Sequence, residues 1–122
     1  MAYYYSLRGW LEIEPEKFSN VINALKSLHD HYERSPKFSL YLKGWCWSKT
    51  HINWTRYLFY GADVTEEGLN FFKNMLYRIA DSGLQLSGYF HAQGEDGEKN
   101  YVYKMVDDSV SLEGTVPNLE VT

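Results

Sequence analysis

His91 is the strongest candidate for acid–base chemistry in the sequence. It lies on a predicted strand with its side chain on the outer face, and an acidic turn that contains Glu95 and Asp96 follows closely. A histidine beside a carboxylate can transfer protons near neutral pH. Surface histidines near carboxylates are common, so the pattern favours an ordinary surface residue over a catalytic one.

The other histidine and cysteine residues also lack the spacing of a reactive site. His29 and His31 lie near the end of a predicted helix, where protonated imidazoles complement the helix dipole, and no third metal ligand is in register. Cys46 falls on the strand face that we expect to be buried, where a thiol is inert. The spacings of a nucleophile elbow, a phosphate-binding glycine loop and a zinc-binding helix do not occur. The sequence therefore predicts no catalytic residue, no metal and no cofactor.

Composition points instead to a binding protein. The aromatic content is 17%, with 11 Tyr and 4 Trp, and these two residue types are enriched where proteins dock on one another. The length of 122 residues fits one domain, which we place at residues 1–116, with a loose tail at 117–122. One cysteine, no basic leader and no long apolar run favour a cytoplasmic protein that does not span a membrane.

The charge is distributed unevenly along the chain. Residues 1–61 carry eight Lys/Arg and five Asp/Glu, whereas residues 62–122 carry four and eleven, so a net charge of −4 combines a positive first half with an acidic second half. Acidity repels nucleic acid phosphates and suits a basic protein partner. It also keeps loops soluble, and the sequence leaves both explanations open.

Periodicity predicts an α+β fold. Period-two alternation indicates strands and apolar residues at helical spacing indicate helices. The predicted elements are a strand at Tyr3–Ile13, a helix from Pro15 to just before Pro36, strands at Phe38–Trp47 and Trp54–Gly61, a helix within Ala62–Gly83, a strand at Leu84–Gln93, and a hairpin of Tyr101–Val106 with Val110–Leu112. This order is the ferredoxin-like or split βαβ plan (βαββαβ), an antiparallel sheet here followed by an added C-terminal β-hairpin. Thr65 is the expected N-cap of the helix within Ala62–Gly83, and Asp107 and Asp108 are expected to join the strands of the hairpin. Gly9, inside the first strand, indicates a bulge or a close neighbouring backbone.

Right-handed crossovers place both predicted helices on the same face of the sheet and leave the other face open. In Phe38–Trp47 the even positions are apolar and would face the helices, whereas the odd positions are surplus to what a one-sided sheet needs. The residues expected on the open face are Tyr4, Arg8, Trp10, Tyr41, Lys43, Trp45, Trp47, Tyr89 and His91. We predict that a partner binds there.

The candidate partner-binding residues form two groups. The aromatic group and its neighbouring histidine, which would supply most of the affinity, are Trp10, Tyr41, Trp45, Trp47, Tyr89 and His91. The charged rim is Glu95, Asp96 and Glu98, which would speed association with a basic surface.

Sheet aromatics invite comparison with RNA-recognition modules, where they stack bases. The comparison fails because no stretch matches the RNP1 pattern and because the sequence pI of about 5.5 lacks a basic footprint. We therefore expect no nucleic acid partner.

A compact acidic α+β domain with a Tyr/Trp-rich sheet face and a GED-type turn at Gly94–Glu98 resembles the small immunity proteins of bacterial toxin and immunity pairs. The resemblance is one of general type across the whole chain. It implies a non-enzymatic protein of the bacterial cytoplasm that binds a cognate toxin and occludes its active or substrate-binding surface. The alternative is a homodimeric, α+β-barrel-like protein that binds a small ligand on its aromatic sheet face.

Overall fold

The computed structural model describes residues 3–32, 34–50 and 52–115. It is an α+β fold with a six-stranded antiparallel sheet and three helices. The elements are β1 (Tyr5–Ile13), α1 (Phe18–His31), α2 (Pro36–Leu42), β2 (Trp45–Cys46), β3 (Arg56–Val64), α3 (Glu66–Ala80), β4 (Ser87–Gly94), β5 (Asn100–Val106) and β6 (Ser109–Thr115), with a 3-10 turn at Pro15–Lys17 before α1. The predicted tail at 117–122, and the predicted domain end at residue 116, lie outside the described residues.

The strand order across the sheet is β2-β3-β1-β4-β5-β6, and every neighbouring pair is antiparallel. β1 is central, since it pairs with β3 along one side and with β4 along the other. The C-terminal hairpin of β5 and β6 extends the sheet beyond β4 and does not fold over its open side. Within the described ranges, no helix is long and apolar enough to cross a membrane.

The core lies between the helices and one face of the sheet. The Phe72 ring of α3 lies 4.8 Å from that of Tyr60, 4.9 Å from that of Phe90 and 5.6 Å from that of Tyr103, measured between ring centroids. These three partners come from β3, β4 and β5, so α3 packs across most of the sheet. Val21 of α1 is also fully buried in this core.

Two predicted features agree closely with the structure. Thr65 is the N-cap of α3, and its hydroxyl oxygen accepts a hydrogen bond from the backbone N–H of Gly68 at 3.3 Å. Gly9, inside β1, is predicted to mark either a bulge or a close neighbouring backbone, and the register of β1 runs without a bulge. A Cβ at that position would lie 2.5 Å from Phe90 Cα, so the close approach is real.

The predicted strand at Phe38–Trp47 is wrong. Its first part is the helix α2, where Ser35 is the N-cap, with a side chain that accepts from Phe38 N at 3.3 Å. Pro36 takes the first helical position, where its missing N–H leaves no bond unmade. Phe38 is fully buried, with its ring 4.1 Å from that of Tyr32 and 5.3 Å from that of Phe71. Only Trp45–Cys46 is a strand.

Candidate protein-binding face

The side of the sheet away from the helices, called here the open face, carries a row of three exposed aromatic side chains. Trp10 of β1 pairs across the strands with Phe59 on one side and with Tyr89 on the other. Their exposed fractions are 37% for Trp10, 44% for Phe59 and 36% for Tyr89. We call these three residues the aromatic row. No element of the described ranges covers it, so its apolar surface faces solvent.

The exposed apolar surface continues from the aromatic row toward the β2–β3 loop. The Tyr57 ring stacks on the Phe59 ring with centroids 5.8 Å apart. Beyond it, Ile52 and Trp54 are about four-fifths exposed. Tyr57, Phe59 and Trp54 line one shallow depression of about 510 Å³. Large contiguous apolar patches are uncommon on folded monomers and are found at interaction surfaces and ligand-binding grooves.

Two opposite charges flank Trp10 along β1. Arg8 Nη2 donates to Gln93 Oε1 at 3.0 Å, and its Nη1 lies 3.4 Å from Ser6 Oγ. Both of these partners are uncharged side chains. On the other side, Glu12 Oε2 accepts from Trp10 Nε1 at 3.4 Å. The open face therefore presents a cation and an anion on opposite sides of Trp10.

Trp10, Tyr89 and His91 lie on the open face, as the sequence predicts. His91 is the cross-strand neighbour of Arg8, and no hydrogen bond from it to a carboxylate is present in the described part of the chain. The three side chains come together because β1 and β4 alternate regularly and pair in register.

The prediction that Trp45 faces the open side is wrong. Trp45 is only 7% exposed and lies in the core, where its ring stacks on Phe72 with centroids 5.8 Å apart and its Nε1 donates to Met75 Sδ at 3.4 Å. Cys46, predicted to be buried, is exposed. Because the preceding segment is helical, the register of β2 differs by one residue from the prediction. A shift of one residue exchanges the two faces of a strand.

Tyr41 and Trp47 also lie away from the open face. Tyr41 belongs to α2, and its hydroxyl lies 3.1 Å from Thr65 Oγ1, at the N-terminus of α3. Trp47 is 42% exposed in the β2–β3 loop, with its ring 6.0 Å from that of Phe18. Tyr41 thus packs within the helix layer, and a partner could contact Trp47 only on the side of the β2–β3 loop.

The acidic turn lies at one end of the sheet. Glu95 Oε1 accepts from Tyr4 N at 3.2 Å, and Asp96 accepts from the Tyr3 hydroxyl and from Glu98 N. The hydrogen bond from Tyr3 is the main reason why the pKa of Asp96 lies below its ordinary value. Glu95 is six positions along the chain from Tyr89, so the turn is about 20 Å from the aromatic row.

Sequence reasoning missed Phe59 and Tyr57, because both faces of the segment Trp54–Gly61 are aromatic. The signal that would have placed them is pairing with β1, since Phe59 is the cross-strand neighbour of Trp10 and Tyr57 of Glu12. Across the described residues, no group of three His, Cys, Asp or Glu side chains could hold a metal ion.

Comparison of the chain with protein-family models, with curated proteins and with solved structures finds no match.

Proposed function

We propose that this chain is a non-enzymatic binding protein whose open face docks on another protein. One observation carries the proposal: Trp10, Phe59 and Tyr89 stand side by side on a sheet face that no described element covers. Trp and Tyr dominate the energetic centres of protein interfaces, where they fill pockets of the partner and exclude water.

The fold belongs to the ferredoxin-like plan in this proposal. The order β4-β1-β3-β2, read within the observed sheet, supports it, as do the helical connections between β1 and β2 and between β3 and β4. β5 and β6 are then an addition at the β4 edge. This arrangement explains why one face of the sheet is free of helices.

The partner in this proposal is a cognate toxin of the same bacterium, and the chain is its immunity protein in the cytoplasm. The acidic second half of the chain supports a partner with a basic surface. A standard interface of about 800 Å² per partner is about 30 Å across, so one toxin can contact both the aromatic row and the turn that carries Glu95 and Glu98. The exposed free thiol of Cys46 fits a reducing compartment.

Binding to a toxin encoded by the neighbouring gene tests this function. We expect Trp10→Ala and Tyr89→Ala each to weaken toxin binding by about 2 kcal/mol, or about thirtyfold in Kd, measured by calorimetry. Tyr77→Ala is the matched control, because Tyr77 is a similarly exposed tyrosine on α3. Toxin binding that is absent, or that the control weakens equally, contradicts the proposal.

A second candidate function is the homodimer that binds a small ligand, and it has an observation of its own. A shallow cavity of about 440 Å³ has the aromatic row as its walls and Arg8 and His91 at one end. Such walls suit a flat apolar ligand, and the cation suits a carboxylate on it. Quenching of tryptophan fluorescence by aromatic carboxylates that is lost both in Trp10→Phe and in Arg8→Gln would favour this candidate over the toxin-binding one.

A further inference from the structure

We propose that, in the absence of a toxin, a second copy of this chain covers the open face, about a two-fold axis that runs along the aromatic row. This inference rests on the proposed use of the open face as a protein-binding surface. It identifies a second copy of the chain as the protein that covers this face before a toxin binds. A toxin that binds the same face would then compete with the dimer.

The register of the sheet arranges the outward residues of β3, β1 and β4 in three parallel rows across the strands. The central row is the aromatic row. The two flanking rows, read in the order β3, β1, β4, are Gly61, Arg8 and His91 on one side, and Tyr57, Glu12 and Ser87 on the other. A two-fold axis along the central row lays each flanking row over the opposite flanking row of the second copy.

This symmetry places Arg8 opposite Glu12 of the second copy, and Glu12 opposite that copy's Arg8. Each residue is two positions from Trp10, so each lies about 7 Å from the axis. Packed sheets are about 10 Å apart, and an arginine and a glutamate side chain together span that distance. Neither residue forms an ion pair within the described part of its own chain. Two opposite-charge pairs thus form at once.

The same symmetry places Tyr57 over Gly61 of the second copy. A Cβ at Gly61 would meet nothing within 4 Å, so the sheet has open space there. Tyr57 is 41% exposed and supplies a ring to fill that space. Shape and charge therefore agree on one relative orientation of the two copies.

A symmetric orientation turned by a right angle is disfavoured. An axis parallel to β1 would place Arg8 opposite Arg8 and Glu12 opposite Glu12, which brings like charges together. The axis along the aromatic row does bring Lys104, the cross-strand neighbour of Tyr89, near Lys104 of the second copy. Lys104 is exposed on its outer strand, and a lysine there can turn its ammonium into solvent.

The size of the face predicts a weak dimer. Four strands of about eight residues form a flat area of about 20 Å by 27 Å, or about 540 Å². This area leaves out the additional surface of the protruding side chains. That footprint is below the roughly 800 Å² per partner of a standard interface. We therefore expect dissociation in the micromolar range.

A charge exchange tests the pairing. In sedimentation experiments between about 1 and 500 μM, we expect Arg8→Glu and Glu12→Arg each to raise the dimer Kd at least about tenfold, and the double exchange to restore it. Lys26→Glu, an exposed charge change on α1, is the control and leaves Kd unchanged. Gly61→Leu should raise Kd with no change in the melting temperature of dilute, monomeric samples. A chain that stays monomeric throughout, or a double exchange that does not restore the dimer, overturns the inference.

Cys46 provides a second readout, because it is the cross-strand neighbour of Phe59 and extends the aromatic row. The proposed axis puts the Cys46 residues of the two copies about 10 Å apart, whereas an axis parallel to β1 separates them by about 20 Å or more. A bismaleimide with a spacer of about 10 Å should therefore link the wild-type dimer and fail in Cys46→Ser. If no link forms in a chain that sediments as a dimer, this axis is wrong.

The two proposals fail separately. A monomeric chain that still binds the toxin overturns the dimer and leaves the proposed function intact. A dimer that responds to the charge exchange but binds no toxin does the reverse.

Discussion

The guanidinium of Arg56 lies over the ring of Phe18, 3.8 Å from the ring centre. Its Nη2 also donates to the carbonyl oxygens of Ser48 and Lys49, both at 2.8 Å. Arg56 begins β3 and Phe18 begins α1, so this one side chain joins the β2–β3 loop to the helix layer. The loop that carries exposed Trp54 is thereby held at its base.

Replacing Arg56 with lysine should loosen this loop, because an ammonium group cannot reproduce the planar fork or its stacking on a ring. We expect Arg56→Lys to lower the free energy of unfolding by about 1–2 kcal/mol in urea titrations. Amide hydrogen exchange at residues 48–50 should become faster. Lys43→Met, which removes an exposed charge elsewhere, is the control, and equal effects from both variants would refute the assigned role.

Trp45 and Trp47 should differ sharply in their effects on stability. Trp45→Ala leaves a cavity beside Phe72 and Met75, so it should lower the free energy of unfolding by about 3–5 kcal/mol. Trp47→Ala removes a partly exposed ring and should lower it by about 1 kcal/mol or less. Urea denaturation followed by circular dichroism measures both. Similar losses in the two variants would mean that Trp45 is not in the core.

Gly9 and Gly61 are glycines on the neighbouring strands β1 and β3, where Gly9 lies opposite Tyr60 and Gly61 lies opposite Arg8. A methyl group at Gly9 would meet the backbone of β4, which cannot rotate away, so Gly9→Ala should lower the free energy of unfolding by about 2 kcal/mol or more. Gly61→Ala enters open space and should change it by less than about 0.5 kcal/mol. Thermal unfolding of dilute samples compares the two. A harmless Gly9→Ala would show that β1 and β4 are not so closely packed.

Asp96 should make stability depend on pH in acid. Its pKa in the folded state is lowered below the ordinary value of 3.8, mainly by the hydrogen bond from Tyr3, so the charged carboxylate stabilises the fold. That contribution is complete above the ordinary pKa and is lost as the pH falls through the lowered value.

Asp96→Asn should therefore be less stable than the wild type at about pH 6, and the difference should shrink toward about pH 2. Urea midpoints at the two pH values measure it, with Glu98→Gln, an exposed carboxylate in the same turn, as the control. A difference that stays constant with pH would assign the effect to something other than the charge.

Some elements could be predicted because two independent signals agreed. α3 has a cap at Thr65 and an apolar stripe, and the structure has both. The turn between β5 and β6 contains Asp107 and Asp108, which adopt positive φ angles of 46° and 66°, a conformation that aspartate tolerates. In both cases the decisive interactions are local in sequence.

Residues 36–42 could not be assigned in this way, because two periods fit them. Phe38, Leu40 and Leu42 alternate like a strand, whereas Phe38, Tyr41 and Leu42 share one side of a helix. The contacts of Phe38 with Tyr32 and Phe71 select the helix. Those contacts exist only in the folded chain.

The sequence by itself determined the α+β class, the two long helices, and the presence of Trp10, Tyr89 and His91 on one side of regularly alternating strands. Only the tertiary structure decided that Phe59 and Tyr57 join them and that Trp45 does not. The reason is physical: alternation within a strand is a local property, but the neighbour of a strand, and the face that a helix covers, depend on pairing between residues far apart in the chain.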